Sequence, residues 1–220
     1  MSDPFEIVRV PGARALEELK NLAAQGRGYP VLVGTQEDLD LLLENYEFGE
    51  DSTEDLLLAA DRIDALEWLS ERVRTDPEYY EEVHGPWPEE SEPCNQFSGH
   101  ADIRTGKPHG EVCIVLLPAE YSWQTPCLLK YGGWNECPFA PEHAALFKLW
   151  EEQYGAKVVT ISGDTIEMSV ERPPTTKEAA LALAGQQYVY CADIVQQGTD
   201  TIEALAATLL DGHVWFFWWD

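Results

Sequence analysis

Apolar and polar residues alternate in FEIVRV (5–10), which predicts a half-buried strand. Leu16, Leu19 and Leu22 then recur at helical spacing in ARALEELKNLAAQ (13–25), and Gly26 marks the stop. YPVLVG (29–34) is a short apolar run and predicts a buried strand. Thr35 is the expected N-cap of a helix through QEDLDLLLEN, whose first-turn acids suit the helix dipole. Two further helices are predicted near residues 53–60 and 62–74, the first capped by Ser52.

The pattern breaks between residues 75 and 110. HGPWPEESEPCNQFSGH (84–100) carries three prolines and little periodicity, so it reads as a loop or linker. Trp87 and Phe97 favour a packed loop over a free tether. Regular elements resume with EVCIVLLP (111–118), an apolar strand closed by Pro118. PEHAALFKLWEEQYG (141–155) predicts a helix with Pro141 at its first position and Gly155 just past its end. KVVTIS and TIEMSV flank Gly163-Asp164 as a hairpin. Its second strand would turn Ile166, Met168 and Val170 to the core and Thr165, Glu167 and Ser169 to solvent.

Thr175 and Glu178 form a capping-box pattern for a helix running to about Tyr190. Asp200 and Glu203 open another that ends by Gly212. The chain closes on HVWFFWWD (213–220), with Trp215, Phe217 and Trp219 on one face of a strand and Phe216 and Trp218 on the other. A strand apolar on both faces predicts a place interior to the sheet. The fold class expected is α/β (α+β), a mixed central β-sheet flanked by helices. The organisation expected is an acidic lobe over residues 1–84, a Pro-rich loop or linker over 85–110, and a C-terminal α/β domain over 111–220.

Charge changes this picture. Forty acids against fourteen bases leave a net charge of −26. Residues 35–92 hold 20 acids and only Arg62, Arg72 and Arg74 as bases. Such a surface repels nucleic acid and anionic membranes and attracts a basic partner. It reads as a solvated face, or more sharply as a docking face or a nucleic-acid mimic. The N-terminal MSDPFEIVRV lacks the basic and apolar regions of a signal peptide, and no apolar run reaches membrane-spanning length. Five cysteines with no CxxC pair argue for a reducing compartment, so a cytoplasmic location is expected.

YGGWNECP (131–138), the segment SGDTIEMSV through TIEALAATLL (162–210) and the terminal VWFFWWD together resemble the bacterial family numbered domain of unknown function 4253. The resemblance spans about residues 112–220, and PVLVGTQEDL resembles the front part of longer members. It implies a cytosolic bacterial protein, and it brings no established activity and no catalytic residues to carry over. By analogy of class alone, small acidic cytosolic proteins include immunity proteins that neutralise toxins.

Candidate chemistry gathers around KYGGWNECPFAPEH (130–143). Its simplest role is a corner, with Gly132-Gly133 turning the chain and Trp134 anchoring it. Trp134, Asn135, Glu136 and Asp164 are the candidate binding residues. A cysteine enzyme, a hydrolase or transferase, would use Cys137 as nucleophile just before a helix, His143 as base and Glu136, Asp164 or Asp193 to orient it, with Asp193 the residue chosen. Zinc could be held by Cys137, His143, Cys191 and Asp193, but the paired spacing of zinc ligands is missing. Cys94, His84 and His100 are a weaker set. P-loop, GxGxxG, HExxH and GxSxG patterns are absent. The expectation is therefore no metal, no cofactor and a non-enzymatic interaction module for a basic protein partner.

Overall fold

Runs of Val, Ile, Leu and aromatic residues build six strands among the residues that the computed structural model describes, 4–81 and 83–220. The signal-peptide expectation therefore falls partly, and Glu82 of the acidic stretch wholly, outside the described residues. The strands are β1 (Glu6–Val10), β2 (Tyr29–Gly34), β3 (Val112–Leu117), β4 (Lys157–Ile161), β5 (Thr165–Ser169) and β6 (Val214–Trp218). They join in one sheet of order β1-β3-β2-β4-β5-β6. The β2–β4 pair is parallel and the other pairs are antiparallel, so the sheet is mixed. Strands from both sides of the 75–110 stretch thus share one hydrogen-bonded ladder.

Alternation along each strand divides the core between two faces. Leu32, Val112, Ile114 and Leu116 meet α1 (Ala15–Gln25) through Ala15, Leu19 and Leu22. Gly26 ends that helix at φ 64°, a conformation open to glycine at little cost. The opposite face carries Val31, Val33, Val115, Ile166, Met168 and Phe217 into the larger core. It is covered by helices that include α2 (Gln36–Phe48), α4 (Ala65–Thr75), α6 (Ala140–Tyr154), α7 (Lys177–Tyr190) and α8 (Ile202–Leu209). Two shorter helices, α3 (Thr53–Ala60) and α5 (Thr125–Leu129), pack against α6. The sequence pattern does not anticipate the five-residue α5, which is too short to show a period.

Thr35 and Ser52 cap α2 and α3 as predicted, and Thr35 forms a full capping box with Asp38. Three other helix starts shift by a few residues. Asp64 caps α4, which begins at Ala65. Thr176, not Thr175, receives the Ala179 N–H at the head of α7. Thr201, not Asp200, caps α8, while Asp200 sits at φ 65° in the preceding turn. In each case a hydroxyl or carboxylate within a few residues of the predicted start sets it by reaching the second or third amide.

Two orientations differ from expectation. The aromatic strand β6 lies at the edge of the sheet, not in its interior. Trp215, Phe217 and Trp219 are buried, while Phe216 and Trp218 are half-covered. Burial of a strand's faces and its lateral place in the sheet are independent, and here an edge strand is covered by helices on one face. Its free edge is also occupied: Val214 N–H donates to Cys94 C=O at 2.9 Å, and the Cys191 thiol donates to Trp218 C=O at 3.0 Å. Glu167, expected on the solvent face, is 1% exposed. Residues 93–100 cross that face, and Glu167 accepts from Ser98 N–H (2.6 Å), Ser98 Oγ (2.7 Å), Gly99 N–H (3.0 Å) and Thr160 Oγ1 (2.8 Å). A buried carboxylate is tolerated when its lone pairs are satisfied in this way. Gly99 makes the crossing possible, since a Cβ there would stand 2.6 Å from Thr160 Cγ2.

A sealed cysteine–histidine cluster and an acidic helical face

The corner at residues 131–138 is built by its glycines. Gly132 has φ 106° and Gly133 φ 90°. A Cβ on Gly132 would stand 2.0 Å from Pro138 C=O and 2.9 Å from His143 Nε2, so no other residue fits. Gly133 N–H donates to Pro138 C=O at 2.9 Å, closing the turn against the start of α6. That closure places Cys137 beside His143, which lies in the first turn of α6.

The candidate nucleophile and base do meet. Cys137 Sγ lies 3.4 Å from His143 Nε2. The third member differs from the one expected: His143 Nδ1 lies 2.6 Å from the Tyr190 hydroxyl, at the end of α7. Asp193 is occupied elsewhere, accepting from Asp220 N–H at 3.1 Å and Gln197 Nε2 at 3.0 Å. Tyr190 carries no chain-local mark of this role. Only the packing of α7 on α6 gives it one.

The electrostatics of the cluster favour neutral groups. His143 and Tyr190 are fully buried, and Cys137 is 4% exposed. Burial, helped by the nearby Arg72 charge, lowers His143 from 6.5 to about 3. Burial, then the neighbouring Cys191, pushes the Cys137 thiol far above its usual range. Cys191 and Cys127 rise to about 12 for the same first reason. A neutral imidazole donates through one nitrogen and accepts through the other, which suits a thiol and a phenol as neighbours. Aromatic rings enclose it: Tyr131, Phe147, Tyr190 and Trp219 lie 5.5–5.7 Å away, centroid to centroid.

Two of the four candidate binding residues, Asn135 and Asp164, meet at the C-terminus. The Asn135 side-chain amide donates to Asp220 C=O. Asp164 accepts from Trp218 Nε1 at 3.0 Å, and its carbonyl accepts from Trp219 N–H at 3.2 Å. Trp134 packs edge-on against Tyr131 at 4.8 Å. Glu136 is exposed and receives Arg72 Nη2 at 3.3 Å. Arg72 also lies over the Trp68 and Tyr80 rings, tying α4 to the corner, and no spacing in the sequence announces that link. Among the described residues no group of three His, Cys, Asp or Glu side chains is arranged to hold a metal ion. No helix there is long and apolar enough to cross a membrane.

The acid-rich helices present a different surface. Glu44, Glu47, Glu50 and Glu54 are exposed along the end of α2 and the start of α3. Nine large hydrophobic side chains are exposed among the described residues. Six of them, Leu41, Phe48, Leu58, Leu66, Val73 and Val83, fall between residues 35 and 92. Phe48 is the extreme case there at 76% exposure.

Comparison with known proteins adds one match. Residues 113–220 match the model of a family described as Domain of unknown function (DUF4253). No curated protein and no solved structure matches the chain.

Proposed function

We propose that this chain, whose residues 113–220 belong to the domain of unknown function 4253 family, is a non-enzymatic interaction module. It is immunity-like: it docks a basic protein partner on the acidic face of α2–α4, in the bacterial cytoplasm. The observation that supports this is the coincidence of two features in one segment. Residues 35–92 carry half of all the acids and also two thirds of the exposed large hydrophobic side chains. Carboxylates steer and orient a basic partner, and exposed apolar side chains give the contact its burial. The five cysteines are free thiols, in keeping with a reducing compartment.

The experiment is native mass spectrometry of the protein purified from its host at low salt. The expected result is a complex with a basic protein that dissociates as salt rises from about 0.01 M to about 0.15 M. Replacing Glu44, Glu47, Glu50 and Glu54 by Gln should weaken it at least about tenfold. A bare chain of 24.8 kDa under all conditions sinks the proposal.

The 3.4 Å contact of Cys137 and His143 supports the rival, a small cysteine-dependent hydrolase or transferase. Burial of both groups weighs against it, because a reactive cysteine needs a stabilised thiolate. Alkylation rates separate the two. The interaction module predicts that Cys94, the half-buried thiol, reacts first and Cys137 slowly. Cys137 reacting faster than Cys94 would favour the enzyme.

A further inference from the structure

The sheet is wider than its covering on one face. Six strands about 4.8 Å apart span about 24 Å, and one helix with its side chains covers about 10–12 Å. On that face α1 supplies the helical residues of the core, over β1, β3 and β2. The 93–100 strap covers Glu167 of β5. A groove of about 590 Å³ is left open between them. Pro30 of β2 and Val159 of β4 line it, with Leu16 and Ala23 of α1 and Phe97 of the strap. Leu16, Phe97 and Val159 are half-buried, so apolar surface faces solvent here.

Two lysines give the groove a polarity. Lys20 of α1 and Lys157 of β4 stand on its wall. Lys20 follows Leu16 by four residues and precedes Ala23 by three, so the three share one helical stripe. Lys157 and Val159 flank Val158, which is buried in the opposite core, so both belong to the α1 face of the sheet. Among the described residues neither amine has an ion pair, a hydrogen bond or a ring contact. Lys130, Lys148 and Lys177, by contrast, each hold a carbonyl, a carboxylate or a ring. Glu120 is the one acid lining the groove, so its wall is net positive in a chain of net charge −26. We infer that this groove binds a single-chain anionic amphiphile, an alkyl carboxylate of the fatty-acid class. The alkyl chain follows from the apolar floor and walls. The carboxylate follows from two unpaired ammonium groups beside that apolar surface. A neutral apolar molecule would leave both amines unused, and a cation would meet them as like charges. Size follows from volume. A dry cavity of about 150 Å³ holds benzene, so by proportion this groove holds at most about 24 non-hydrogen atoms. The groove lies on the face of the sheet opposite α2 and α4, and it does not depend on the docking proposal.

The test uses the full chain labelled with nitrogen-15 and carbon-13, in about 0.15 M salt, where charges more than about 8 Å away are screened. The probes are decanoate, 1-decanol and acetate. Decanoate should shift the amide resonances of Ala23, Phe97 and Val159, with a dissociation constant below about 1 mM. It should bind about fivefold more tightly than 1-decanol, which keeps the chain and lacks the charge. Acetate keeps the charge and lacks the chain, and it should shift none of the three. In Lys20→Gln with Lys157→Gln the preference for decanoate should vanish while the affinity for 1-decanol holds. Both lysines are exposed, so that variant keeps the fold. Ala23→Trp, which fills the groove from an exposed position of α1, should weaken both ligands. Equal affinities of decanoate and 1-decanol for the unaltered chain overturn the inference, as does a preference for 1-decanol. Absence of a decanoate shift at the three amides up to about 1 mM also overturns it, as does acetate shifting them as decanoate does. The comparison of probes on the unaltered chain decides the matter without any variant.

Discussion

His143 is a base held neutral by its surroundings. In the unfolded chain it titrates near 6.5, and in the fold at about 3. As pH falls, the unfolded state therefore takes the proton first. The contribution of His143 to stability is complete above about pH 6.5 and is lost as pH falls toward 3. The slope is at most about 1.4 kcal/mol per pH unit. Carboxylates titrate in the lower part of that window, so a single curve mixes their effects with this one. Comparing the protein with His143→Gln isolates it. Urea unfolding should show the stability difference between the two changing by about 2 kcal/mol between pH 7 and pH 5. A constant difference would mean that His143 takes up its proton over the same pH range in the folded and the unfolded chain. A second prediction belongs to the same corner. Gly132→Ala places a methyl group against Pro138 C=O at a φ that L residues rarely adopt. It should destabilise the fold by more than the roughly 1 kcal/mol of an ordinary Gly→Ala change at positive φ, as read by urea unfolding, and lower the melting temperature accordingly.

Among the elements, β6 gathers the aromatic side chains of both α6 and α7. Trp150 of α6 meets Trp215 and Phe217, and Tyr190 of α7 meets Phe217 and Trp219. The chain following β6 also holds the corner and the hairpin turn through Asn135 and Asp164. Each of the three buried rings contributes roughly 2–3 kcal/mol by area, against a total stability of about 5–15 kcal/mol for a domain. Deleting residues 215–220 should therefore abolish the cooperative melting transition, as followed by near-ultraviolet circular dichroism. A truncated chain with an unchanged melting curve would show that β6 is dispensable. Most elements were legible from the chain because each is governed by local rules: the period of the strand, the period of the helix, the cap and the glycine stop. The places where those rules failed are long-range. Glu167 alternates correctly with Ile166 and Met168, yet its face is covered by a strap some seventy residues earlier in the chain.

At the scale of the whole molecule, charge sets the behaviour. A net charge of −26, with 20 acids in residues 35–92, makes the folded state repel itself. Salt screens that repulsion, and its reach is about 10 Å at 0.1 M. The melting temperature should rise as salt increases from about 0.01 M to about 0.15 M. The variant with Gln at positions 44, 47, 50 and 54 should start higher and gain less. A melting temperature that falls with salt would mean that attractive pairs such as Arg74 with Glu67 and Glu71 outweigh the repulsion. Salt should therefore act in opposite directions on stability and on binding of a basic partner, which gives the docking proposal an internal control.

Sequence alone determined most of the strands and helices, the caps at Thr35 and Ser52, the glycine corner and the acidic stretch. All of these follow from local backbone preference or composition. That Cys137 and His143 meet was decided by the closing of that corner. Tertiary structure alone decided the rest. It put β6 at an edge with its faces covered, buried Glu167 under the 93–100 strap and gave His143 the phenol of Tyr190 in place of the carboxylate of Asp193. It also left the Gln187 amide and the Trp215 indole buried with unpaired donors. Those outcomes depend on which distant segments cover a given face. Burial, not residue type, determines whether a thiol, an imidazole or an amide is charged, quiet or in want of a partner.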